Sequence, residues 1–136
     1  MSQRPGPEER DRLVLEYQQL ARVAAEYQRR IDLLNAALDD VLQAKAAVDE
    51  LKLLEDGEEI LVPLGANVMV RASYRKTGKL LVSVGGGVML ERDFEGVREY
   101  LERREKTLRE LVQRLSNEYQ RVISRMSEIE RRLGAT

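Results

Sequence analysis

Eleven positions, Leu13, Tyr17, Leu20, Ala24, Tyr27, Ile31, Leu34, Leu38, Val41, Lys45 and Val48, follow one another at strictly alternating steps of four and three residues. A 3.5-residue period holds these side chains on one seam, which predicts a helix wound left-handed against a partner helix. A second stripe runs through Val97, Leu101, Arg104, Leu108, Leu111, Leu115, Tyr119, Val122, Met126, Ile129 and Leu133, with a stutter at Tyr119 that should locally unwind the supercoil. Met1 to Gly6 reads as a frayed leader, and Pro7 with Glu8, Glu9 and Asp11 suits a helix start. Gly57 suits a stop after the first helix, and Asp93 suits the N-cap of the second. The expected helices, 8–56 and 93–133, would each be about 60–65 Å long at the α-helical rise. Matching lengths predict an antiparallel pair, with Asp93 near Leu53 and Leu133 near Leu13. Lys45, the one polar member of the first seam, reads as a register-setting residue or as a side chain reaching past the seam to water.

Between the stripes, residues 57–92 hold six of the nine glycines. Four short runs rich in β-branched and aliphatic residues lie among them and predict strands at Ile60–Leu64, Val68–Tyr74, Leu80–Val84 and Val88–Glu91. Arg75–Gly78 is expected to turn the second strand into the third, and Gly85–Gly87 the third into the fourth. Four strands with only two helix ends for cover make a poor domain, and open strand edges invite pairing with other chains. The hairpins are therefore expected to bury Ile60, Val62, Val68, Val70, Leu80, Val82 and Val88 against equivalent hairpins of other subunits. The expected fold class is α+β: a long antiparallel coiled-coil helical hairpin carrying two central β-hairpins that oligomerise.

Absent cysteine and histidine remove disulfides, thiol nucleophiles, the usual zinc ligands and the commonest general base. Ser73-Tyr74-Arg75-Lys76 and Lys76-Thr77-Gly78 have the form of penicillin-binding motifs, but they overlap on one lysine where those enzymes need two. Gly78-Lys79-Leu80 lacks the hydroxyl residue of a phosphate loop. No enzyme activity, metal or cofactor is expected. No apolar run approaches a membrane span, and the N-terminal residues lack the apolar core of a secretory signal, so the expectation is no membrane partner and a cytoplasmic location. The first helix is acidic, with 7 basic and 12 acidic residues over 8–56, whereas the second is close to neutral. Basic pairs such as Arg103-Arg104 alternate with acids, and no basic stripe with stacking aromatics predicts a nucleic-acid partner.

The run Ile60-Leu61-Val62-Pro63-Leu64 is followed by Leu80-Leu81-Val82-Ser83-Val84-Gly85-Gly86-Gly87-Val88-Met89-Leu90-Glu91. In these residues the strand region resembles the central part of the prefoldin alpha class, most closely the archaeal type. Val88 and Met89 stand where the family commonly has tyrosines, and Ser83 where an acid is frequent. The resemblance covers about residues 59–101 and implies one prefoldin-like domain over 1–136: a coiled-coil helix at 8–56, an assembly region at 57–92 and a second helix at 93–133. It further implies a hexamer of two alpha and four beta-class subunits whose hairpins form a β-barrel base. Such a complex captures unfolded polypeptides without ATP and delivers them to a group II chaperonin.

A holdase of this kind needs apolar groups left accessible near the coil ends. The candidates are Leu13, Val14, Leu15 and Tyr17 on the first helix and Ile123, Met126, Ile129 and Leu133 on the second. Met126 suits irregular partners because its side chain is flexible and polarizable. Leu13, Tyr17, Met126, Ile129 and Leu133 also fit ordinary seam positions, which makes Val14, Leu15 and Ile123, off the strict seam, the sharper candidates. The alternative function is a structural coiled-coil adaptor whose ends bind one specific folded partner.

Overall fold

The computed structural model describes residues 4–134. Helix α1 spans Pro7–Leu53, the strands are β1 (Glu59–Gly65), β2 (Val68–Ser73), β3 (Lys79–Gly85) and β4 (Val88–Asp93), and helix α2 spans Phe94–Leu133. Of the expected leader, residues 1–3 lie outside the described residues. Helix α1 opens with proline at its first position and Glu8 and Glu9 in its first turn, where the positive end of the helix dipole favours acids. It stops four residues before Gly57. The chain leaves it through a turn in which Glu58 N–H donates to the Glu55 carbonyl (3.2 Å) and Gly57 takes φ +86°. Helix α2 begins as its cap requires: the Asp93 carboxylate accepts the Gly96 N–H at 2.8 Å.

The chain divides into two compact units, one built from residues 1–38 and 107–136, the other from residues 39–106. In the first unit the two helical segments run antiparallel, tied by Glu9–Arg132, Glu16–Arg125, Tyr17–Glu130 and Tyr27–Glu118. Leu13, Ala24, Ile31 and Leu38 are buried against a stripe in which Leu108 and Ile129 are buried. The second unit contains the rest of the helix pair, with Val41, Val48, Val97 and Leu101 buried, together with the four strands. Here one expected seam position moves. Arg104 is exposed, and Glu105 turns inward instead, placing its carboxylate 2.8 Å from the Lys45 amine. Two partly buried opposite charges satisfy each other there, which accounts for a lysine in the first seam and requires an acid, not an arginine, across from it.

The strands form two separate two-stranded antiparallel sheets, β1 with β2 and β3 with β4, and no closed barrel forms within the described residues. This corrects the expected turn at Arg75–Gly78. β2 and β3 do not pair, and that segment links two hairpins instead of closing one. The turn that closes hairpin 1 is Ala66-Asn67, with φ of +50° and +64°. Positive φ at both central residues gives one of the two tight turns whose twist matches the strands, and alanine there disguised the turn in the sequence. Hairpin 2 closes through Gly86-Gly87 at +60° and +76°, with no such disguise.

The hairpins are two copies of one pattern twenty residues apart: Leu61-Val62-Pro63-Leu64-Gly65-Ala66-Asn67-Val68-Met69-Val70 against Leu81-Val82-Ser83-Val84-Gly85-Gly86-Gly87-Val88-Met89-Leu90. Their registers agree pair by pair. Val62 faces Val70 as Val82 faces Leu90, and both registers shift at the same place, between Pro63 and Gly65 and between Ser83 and Gly85. The extra residue, Leu64 or Val84, is a bulge that bends the strand just before its turn.

Candidate functional site

Two surfaces present chemistry, one on the hairpins and one on the helix ends of the first unit. In an antiparallel sheet, residues directly paired across strands share a face, and the faces alternate along each strand. On hairpin 1 this gathers Ile60, Val62, Val70 and Val68 on one face and Leu61, Pro63 and Met69 on the other. On hairpin 2, Leu80, Val82, Leu90 and Val88 share a face, opposite Leu81, Ser83 and Met89. All seven residues expected to mediate oligomerisation therefore fall on one face of their own hairpin. Leu90, which completes that face opposite Val82, was not anticipated; its signal was the twenty-residue repeat, in which it stands where Val70 stands.

Both hairpins leave much of this surface open. Among the described residues, eleven of the sixteen exposed large apolar side chains lie on the four strands: Leu61, Val62, Leu64, Val68, Met69, Val70, Leu81, Val84, Val88, Met89 and Leu90. Leu80 and Val82 are half-buried and line a hollow with Val48, Leu51, Val97, Tyr100 and Leu101. A second recess, also lined by Tyr100, lies between Val82, Val84 and Leu90 of hairpin 2 and Gly96 and Glu99 of α2. Gly96 makes room for the helix cap, because a Cβ there would stand 2.9 Å from the Asp93 carboxylate oxygen that accepts its N–H.

On the helix ends the candidate residues divide by exposure. Leu13 is 4% exposed and Ile129 wholly buried, so both build the seam. Tyr17, Ile123, Met126 and Leu133 are half-buried, whereas Val14 and Leu15 are 38% and 56% exposed. Ile123 lines a shallow hollow on the last turns of α2 with Ser124, Ser127, Glu130, Arg131 and Gly134. Val23 and Leu33, further along α1, are also exposed. They lie outside the seam, and their apolar character at non-seam positions was the overlooked signal.

Polar links hold these ends together without closing the apolar surface. The Arg125 guanidinium grips Glu16 through two nitrogens at 2.9 and 3.0 Å and reaches Glu128 at 3.2 Å. That fork lowers the Glu16 pKa and raises that of Arg125. Tyr17 donates its hydroxyl to Glu130 at 2.5 Å and Tyr27 to Glu118 at 2.8 Å. Each hydroxyl is held protonated by the carboxylate that accepts from it, so both tyrosine pKa values are raised. Among the described residues no group of three or more histidine, cysteine, aspartate or glutamate side chains is placed to hold a metal ion, and no helix is long and apolar enough to cross a membrane. The arrangement is suited to adhesion: strand edges, apolar faces and a braced helix pair.

A family model described as prefoldin subunit matches residues 20–135. The prefoldin subunit alpha of Thermofilum pendens is 41% identical over 121 residues, covering 89% of this chain and 94% of that protein. The prefoldin subunit alpha of Pyrococcus horikoshii is 29% identical over 125 residues, covering 91% and 84%. Among solved structures, a chain from the cryo-EM structure of filamentous PFD from Methanocaldococcus jannaschii superposes with a TM-score of 0.69 at 24% identity, covering 88% of this chain and 96% of its own, and shares the fold.

Proposed function

This chain belongs to the prefoldin family as an alpha subunit of archaeal type, and we propose that it acts in a hetero-oligomer of two alpha and four beta-class subunits that holds unfolded polypeptides. Prefoldin subunits are non-enzymatic chaperone components, and membership implies a chaperone co-factor role. The finer reading is that the complex works without ATP or any other cofactor, in the cytoplasm, and passes its clients to a group II chaperonin.

The observation that carries the assembly is the apolar surface of the hairpins. Soluble monomers rarely expose contiguous apolar patches beyond a few hundred Å². Two isolated two-stranded sheets offer four open edges as well, and closing them with hairpins of other subunits into a β-barrel removes edges and apolar exposure together. Ile60, Val62, Val68, Val70, Leu80, Val82 and Val88 form the face that assembly buries, Leu80 and Val82 being already half covered by the helix pair. Clients are held at the helix ends, where Val14, Leu15 and Ile123 make the first contacts and Tyr17, Met126 and Leu133 add partly covered surface. Leu13 and Ile129 support this surface from the seam beneath. Several such ends in one complex let individually weak contacts hold a chain.

The test is light scattering of a chemically unfolded protein diluted into buffer with the complex reconstituted from this chain and an archaeal beta-type prefoldin subunit. A second complex carries the chain trimmed of residues 1–20 and 124–136, and size-exclusion chromatography establishes that both assemble. Suppression of aggregation by the full-length complex, lost on trimming, supports capture at the helix ends. An assembled full-length complex that suppresses nothing overturns the holdase reading in favour of an adaptor with one folded partner.

A further inference from the structure

Hairpin 1 is held from its base. Only Ile60 and Ala72 of its two strands are even half-buried, so side-chain packing does little to fix its direction. Below the last strand pair, Glu59 with Ser73, the backbone ladder continues for one more step: Tyr74 N–H donates to the Glu58 carbonyl at 2.8 Å, and Gly57 N–H to the Tyr74 carbonyl at 2.7 Å. Next in line is a side chain. The Asp56 carboxylate accepts the Lys76 N–H at 2.8 Å, across an interval of twenty residues. The Thr77 hydroxyl then accepts the Lys79 N–H at 3.2 Å, where β3 starts. The segment that leaves α1 and the link between the hairpins are thereby fastened to each other. Beyond Lys76 the link passes through Gly78 at φ +75°, and the missing Cβ leaves its backbone free to swing once unfastened.

We infer that Asp56 is a positioning residue for assembly: its carboxylate latches the link between the hairpins and so sets the direction in which hairpin 1 presents its apolar faces to a neighbouring subunit. This rests on the assembly reading above. The chemistry required is an acceptor at one point in space, not a charge. Asparagine offers the same carbonyl-type oxygen and alanine offers none, so the two substitutions separate the latch from general electrostatics.

The experiment compares the wild-type chain, Asp56→Ala and Asp56→Asn, each mixed with an archaeal beta-type prefoldin subunit over a range of concentrations in sedimentation velocity. Amide hydrogen exchange at Lys76 and helix content by circular dichroism are recorded on the same samples. Asp56→Ala should keep its helix content, lose protection at Lys76 and need about tenfold more protein to assemble, the effect of one hydrogen bond that holds an interface element in place. Asp56→Asn should restore both protection and assembly. Asp56→Ala assembling at the wild-type concentration overturns the inference, as does Asp56→Asn failing alongside it. A drop in helix content of Asp56→Ala also overturns it, because Asp56 would then hold the fold instead of aiming a hairpin. If the wild-type chain joins no beta-type subunit at any concentration, the assembly reading fails by itself, and Lys76 exchange still reports whether the latch exists.

Discussion

Hairpins 1 and 2 share a pattern, a register, a bulge and a turn conformation, yet they live in different surroundings. Leu80 and Val82 of hairpin 2 sit half-buried over Val48, Leu51, Val97 and Leu101. Of the equivalents on hairpin 1, Ile60 is half-buried but Val62 remains exposed, and the direction of this hairpin depends on backbone bonds at its base and on Asp56. The local sequence is enough to make a hairpin twice. What each hairpin can do depends on what its side chains meet.

The largest expected effect comes from placing a charge on the shared face. Val82→Asp should lower the stability of the isolated chain by about 2–3 kcal/mol, because a half-buried apolar site would have to solvate a carboxylate. Val62→Asp, the same change at the equivalent position, should leave thermal unfolding within about 0.5 kcal/mol, as for an ordinary surface substitution. It should still abolish association with the beta-type subunit in sedimentation. Equal destabilisation by both would erase the distinction between the hairpins.

Exchanging the turn chemistry should have a smaller effect. Gly86→Ala puts a Cβ at φ +60° and should cost about 1 kcal/mol by denaturant unfolding of the assembled protein. Ala66→Gly removes the matching strain at φ +50°, and the added freedom of the unfolded chain offsets part of that gain. The expected result is a net stabilisation below about 1 kcal/mol.

A pH titration contrasts the braced helix ends with the hairpins. The raised pKa values of Tyr17 and Tyr27 mean that their contribution is complete below the ordinary tyrosine value of 10.0 and is lost as pH rises through the raised values. The lowered Glu16 pKa acts in the opposite direction, with a contribution present above 4.5 and lost as acid takes the pH down through the folded value. Fluorescence or exchange probes on residues 10–30 should therefore register loosening at both extremes. Tyr17→Phe with Tyr27→Phe should remove the alkaline arm alone. The smallest effect belongs to Arg71→Ala, which breaks the exposed 3.6 Å pair with Glu59 across hairpin 1 and should leave unfolding unchanged within error.

Much of this architecture was legible in the residues. Strict three-and-four spacing from Leu13 to Val48 placed α1 and its buried stripe, and Asp93 announced the start of α2. Leu13, Tyr17, Met126, Ile129 and Leu133 came from the seam spacing and Val14, Leu15 and Ile123 from lying beside it, although only packing could show Leu13 and Ile129 closed into the seam and Val14 and Leu15 open. Strand pairing was misread at Arg75–Gly78 because Ala66 hid the first turn. Composition weights glycine and lysine-rich segments as turns, whereas the chain closed wherever two consecutive residues could take positive φ.

The sequence by itself determined the elements, the two seams and the duplicated hairpin, because these follow from spacing between residues near one another along the chain. Only the tertiary structure decided that Glu105 and not Arg104 meets Lys45, that Asp56 fastens Lys76, and that Val82 is half-buried against the helix pair while its copy Val62 stands exposed. Each of those depends on two residues far apart in sequence arriving within about 3 Å, where desolvation and hydrogen bonding act, and no local pattern encodes that distance.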